Sequence, residues 1–172
     1  MPTVDPLEHN HLVELLRIMS ILRSPNGCPW DRDQTLQSLK PFLLEETYEV
    51  LEAIDGDDPS EHQEELGDLL FQVVFQSEIQ SEVGHFTFND VAGSIVKKLR
   101  RRHPHIFGQS SNLSRDQIAE NWRNIKLAER TEKGSDTSAL AGVPRQLPAL
   151  FRALRLGQKA SAVGFDWESS QG

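Results

Sequence analysis

The chain has 172 residues, 37% hydrophobic and 26% charged, with a formal net charge of -8 and one cysteine. That balance suits one folded domain with an appended element and excludes a disordered chain, while the negative charge weighs against binding nucleic acid or an anionic membrane. Cys28 alone excludes an internal disulfide framework and a cysteine-built zinc site. No apolar run approaches the roughly 20 residues of a membrane span, and the N-terminus lacks a signal design. A soluble cytoplasmic protein is expected.

Asp5-Pro6-Leu7-Glu8 has the cap, proline and acid of a helix start, and Leu12, Leu15, Leu16, Met19 and Leu22 continue it at helical spacing. Two prolines and an Asn-Gly pair in residues 24–31 break it. A second helix is expected from about Pro41 to Ile54, stopping at Asp55-Gly56. Asp58-Pro59 starts a third, which runs to about Glu82 and is closed by Gly84. Thr87 or Asn89 opens a fourth, ending near Arg102 before His103-Pro104. Ser114 and Gln117 have capping-box spacing for a fifth helix to about Lys133, with Gly134 as its stop. After a linker, Pro148 to Val163 reads as a last helix before Gly164. No stretch alternates with period two, so the fold class is all-α.

Two acidic pairs stand in apolar company. At about 100° per residue, Glu65, Asp68 and Gln72 fall in one narrow arc of the third helix, flanked by Leu69, Phe75 and Ile79. In the second helix Glu46 falls inside the apolar arc with Val50 and Ala53, and Glu49 lies at its edge. The i,i+3 spacing sets two carboxylates on one face of each helix, and antiparallel packing would bring four together in a dry pocket. Carboxylates taken from water without a partner cost several kcal/mol or more, and neither cluster holds a lysine or arginine. Oxygen-only ligands favour a hard cation, Mg²⁺ or Mn²⁺, which shares its coordination sphere with substrate phosphates. Glu52, Glu61 and Glu64 read as solvated surface.

Lys97-Lys-Leu-Arg-Arg-Arg102 suits the negative end of a helix dipole, yet it is also the obvious place for phosphate, above all Lys98 and Arg102 at i,i+4. Trp122 and Lys126 share that spacing, which sets an aromatic face beside a cation. Glu8/His11 and Glu82/His85 match a di-iron spacing, but one pair lies at a helix start and the other straddles Gly84.

Cys28-Pro-Trp-Asp31, Leu44-Glu-Glu-Thr-Tyr-Glu-Val-Leu51, Glu64-Glu-Leu-Gly-Asp-Leu-Leu-Phe-Gln-Val-Val-Phe75 and Arg101-Arg-His-Pro-His-Ile-Phe107 together resemble MazG, the all-α nucleoside triphosphate pyrophosphohydrolase family. The resemblance covers about residues 10 to 130. It implies an oligomeric helical bundle, a homodimer or larger, with Mg²⁺-dependent cleavage of a nucleoside triphosphate between its α- and β-phosphates. Glu46, Glu49, Glu65 and Asp68 match the metal ligands. Glu45 matches the further acid that helps bind a second metal or activates water, Lys98 and Arg102 match phosphate contacts, and Trp122 and Lys126 match a nucleotide-contact pair. Residues 1–134 would form the catalytic module, and 135–172 a linker and helical tail similar to the lead-in of a second module in longer members. Residues 135–172 contain no acidic pair like Glu46/Glu49 or Glu65/Asp68, and a catalytically silent nucleotide- or metal-binding regulatory module is the alternative.

Overall fold

The computed structural model describes residues 10–108, 113–134 and 136–165. It is all-helical over those residues: α1 His11–Arg23, α2 Pro29–Asp33, α3 Lys40–Asp55, α4 Pro59–Glu82, α5 Phe88–Arg102, α6 Pro104–Phe107, α7 Arg115–Glu132 and α8 Ala149–Ser161. The start expected at Asp5-Pro6 lies outside the described residues, and the cap seen is Asn10, whose side chain accepts from the Val13 N–H.

The long helices end where their local chemistry requires. Asp58 accepts from the Ser60 N–H at 2.8 Å and Pro59 occupies the first turn of α4. Gly84, with φ +73°, closes that helix in a conformation that a side chain would strain. Thr87 opens α5 through a mutual bond with Asp90, and Ser114 with Gln117 completes the capping box of α7. Two short helices were not expected: α2 overlaps the stretch 24–31 expected to turn, and α6 follows the expected end of the fourth helix. Each begins at a proline, whose fixed φ suits a first helical position.

The chain divides into two compact units, residues up to Lys98 and from Leu99 onward. In the first unit α3 and α4, joined by a three-residue turn, pack along each other, and α1 packs on α4. Met19, Leu39, Val74 and Phe75 are fully enclosed, with Leu15, Leu16, Phe42, Phe71, Ile79 and Phe88 against them. Each enclosed side chain contributes about 2 kcal/mol by leaving water.

Arg23 ties the loop between α1 and α3 into this core. Its guanidinium grips Glu82 at 2.5 and 2.7 Å, donates to the Asp31 and Gln34 carbonyls, and lies 5.5 Å from the Phe75 ring centre. Gly27 is needed in the same loop, because a Cβ there would meet the Leu22 carbonyl oxygen at 2.2 Å.

Candidate functional site

α3 and α4 bring acids towards each other because they pack along one another as a helical hairpin, with Glu46 and Glu65 half-buried. Glu46, Glu49 and Glu65 each bring a carboxylate oxygen within 4.8 Å of the others. Asp68 lies outside that trio, yet its charge acts on both Glu46 and Glu65. Three of the four expected ligands therefore converge, and the fourth stands within electrostatic reach. Glu45 is exposed on the outer side of α3.

The cluster is only partly withdrawn from water. Glu46 and Glu65 are half-buried, whereas Glu49 and Asp68 are exposed. The dry pocket expected from the apolar flanks is thus half open: Leu69 and Ile79 are half-buried and Phe75 is buried as expected, yet Glu49 and Asp68 still reach water. Burial first, then the Asp68 charge, then the hydrogen bond and charge of Glu49 hold the Glu46 carboxyl above its ordinary range. Burial and then the Glu49 and Asp68 charges, with smaller contributions from Glu64 and Glu61, do the same for Glu65.

Gln72 is the polar residue that the sequence placed in this strip without giving it work. It is buried, and its Nε2 donates to Glu46 Oε1 at 3.4 Å, a long bond that opposes the rise in that carboxyl's pKa. Its Oε1 is buried with no partner among the described residues. Converging carboxylate oxygens, partly withdrawn from water and repelling one another, beside an orphaned acceptor, fit a hard divalent cation. Glu46, Glu49 and Glu65 could hold it directly, with Asp68 near enough to join.

Lys98, in the first unit, is exposed on α5. In the second unit Arg102 is already engaged: its Nε and Nη2 grip Glu129 at 3.2 and 2.6 Å, and Arg101 joins the same carboxylate at 2.6 Å. Those bonds hold the buried Glu129 well down, at about 2. Nothing in the sequence signals that pairing, because its partners lie 27 and 28 residues apart. Trp122 and Lys126 do form a local pair, with Nζ 4.9 Å from the ring centre, and His103 packs edge-on against the indole at 5.2 Å.

Residues 34–107 match the MazG nucleotide pyrophosphohydrolase domain. The chain carries a MazG domain. It is 49% identical over 159 residues to the nucleoside triphosphate pyrophosphohydrolase of Escherichia coli K12, covering 92% of this chain and 60% of that protein. The Thermotoga maritima relative named nucleoside triphosphate pyrophosphohydrolase/pyrophosphatase MazG is 48% identical over the same shares. The chain thus spans about three-fifths of the length of these curated relatives. A crystal structure of a mazG-related protein from Thermotoga maritima superposes with a TM-score of 0.57 at 25% identity, over 66% of this chain and 97% of that one. The MazG match contains every member of the acidic cluster and ends short of Trp122.

Proposed function

We propose that this MazG chain hydrolyses nucleoside triphosphates between the α- and β-phosphates, with Mg²⁺ or Mn²⁺, to a nucleoside monophosphate and pyrophosphate. The observation that carries the reading is the meeting of Glu46, Glu49 and Glu65 across the α3–α4 hairpin, inside the matched domain. The pyrophosphohydrolase names of relatives that share nearly half their residues with this chain support it.

In this reading Glu46, Glu49, Glu65 and Asp68 hold the cation, and Gln72 steadies Glu46 from behind. When bound, a divalent ion supplies Lewis acidity towards phosphate and lowers the pKa of water. Glu45, exposed one residue before Glu46, takes the proton of the attacking water. Lys98 and Lys126 neutralise charge moving onto the departing pyrophosphate, and Trp122 offers a face to the base. Arg102 keeps its hold on Glu129 through one edge of its guanidinium and offers phosphate the remaining nitrogen, Nη1. Residues 1–134 serve as the catalytic module and 135–172 as linker and tail.

A homodimer completes the active form. Leu44, Tyr48 and Leu51 on α3, and Leu66, Leu70 and Val73 on α4, recur at three- and four-residue intervals and are exposed. Two apolar stripes on one hairpin are more than a lone chain leaves in water. No helix among the described residues is long and apolar enough to cross a membrane, which accords with the cytoplasm as the place of work. Clearance of noncanonical nucleotides is the role we assign.

Incubation with Mg²⁺ and a panel of ribo- and deoxyribonucleoside triphosphates, followed by product separation, tests the reading. Monophosphate plus pyrophosphate is expected, and Glu49→Gln should reduce turnover at least about a hundredfold with helicity unchanged. Binding without turnover in the unaltered chain would replace it with the regulatory-module alternative.

A further inference from the structure

The polar strip on α4 closes on a neutral residue. Glu65, Asp68 and Gln72 share one face at i, i+3 and i+7, yet Glu65 is half-buried, Asp68 is exposed and Gln72 is only 4% exposed. Of these three, the one shut away from water is the one without a charge, as the cost of burying an ion requires.

The two polar atoms of Gln72 have different fates. Its Nε2 reaches across the hairpin and donates to Glu46 Oε1 at 3.4 Å. Turning the amide over would set its oxygen against that carboxylate, acceptor against acceptor, so the bond to Glu46 fixes how Oε1 is presented. Oε1 is buried with no partner among the described residues. Ser77, buried further along the same helix, shows the ordinary solution, because its hydroxyl donates to the Val73 carbonyl at 2.7 Å. A glutamine kept only to brace Glu46 needs Nε2 alone, and an acceptor left over in a closed place is destabilising.

An orphaned acceptor calls for a proton donor, and a bare cation has none. A hard divalent ion held by carboxylates keeps part of its hydration shell, and those waters are stronger donors than bulk water because the ion draws electrons from them. We propose that Gln72 is a positioning residue for water as well as for Glu46: its Oε1 accepts a hydrogen bond from a water that the cation carries into the cluster. One oxygen of the hydration shell is thereby tied to a fixed point on α4 and exchanges slowly with solvent. The assignment rests on the cation reading given above and goes beyond it, by giving work to the half of the amide that Glu46 does not use.

Mn²⁺ is the probe, since its unpaired electrons report on the water it holds. Exchange of water from the Mn²⁺-loaded full chain, measured by magnetic relaxation of isotope-labelled water oxygen, should become at least about fivefold faster in Gln72→Met, the change expected from losing one hydrogen bond of ordinary strength. Gln72→Glu keeps an oxygen and gives up the bond to Glu46, so exchange should stay as slow as in the unaltered chain. A residue acting through Glu46 alone would instead behave alike in both variants. Ser77→Ala, which removes another buried polar group of α4, should leave exchange unchanged. A crystal structure with Mn²⁺ should place one water both on the ion and within hydrogen-bond distance of Gln72 Oε1, which decides the matter even where circular dichroism shows a variant to be misfolded. Unaltered exchange in Gln72→Met, equal acceleration in both Gln72 variants, a water at Oε1 that does not touch the ion, or Oε1 bound to the ion itself overturns the proposal alone. Failure of the unaltered chain to bind Mn²⁺ overturns the cation reading and this proposal with it, so the two failures are told apart.

Discussion

At the scale of single residues, the acidic cluster was legible because a carboxylate pair at i,i+3 announces its common face without tertiary information. Its wetness was not legible, because exposure of Glu49 and Asp68 depends on how far the neighbouring side chains close over them. Gln72 is the instructive intermediate: its arc is written in the sequence, but its single bond to Glu46 and its orphaned oxygen require the packed hairpin. A residue that orients a ligand from behind typically changes metal affinity by 10–100-fold when lost. Gln72→Leu, which keeps the volume and removes both polar atoms, should therefore weaken Mn²⁺ binding about tenfold, as measured by electron paramagnetic resonance titration.

At the scale of elements, capping chemistry located the helix ends well, as at Asp58, Ser114 and Gly84. The short helices α2 and α6 escaped notice because one turn has no periodicity and their prolines read equally well as turns. The clamp of Arg101 and Arg102 on Glu129 ties the end of α5 to α7 and is stabilising while the carboxylate is charged. Its folded pKa, about 2, lies below the ordinary 4.5, so the contribution is present above the ordinary value and is lost as pH falls from about 4.5 towards 2. Glu129→Gln should cost about 2 kcal/mol at neutral pH, allowing for screening of the exposed Arg101 side chain, and the difference from the unaltered chain should vanish in denaturant melts taken near the acid end of that window.

At the scale of the whole molecule, the all-helical class followed from the absence of period-two alternation, whereas the assembly could not be read from residue patterning, since an apolar residue looks the same in a sequence whether it meets its own chain or another. The outward stripes on α3 and α4 make the assembly testable. Tyr48→Glu/Leu51→Glu should leave circular dichroism unchanged and shift sedimentation towards the monomer; a variant sedimenting as the unaltered chain does would remove that face from the interface.

Arg23 carries a further consequence, for the order in which the chain becomes itself. Its grip on Glu82 spans 59 residues, and the same guanidinium fastens the Asp31 and Gln34 carbonyls. A polypeptide emerging from the ribosome N-terminus first makes the segment between α1 and α3 long before the anchor that fastens it exists. The bond to Glu82 is therefore a contact of long sequence separation, which cannot form until the last turn of α4 has been made.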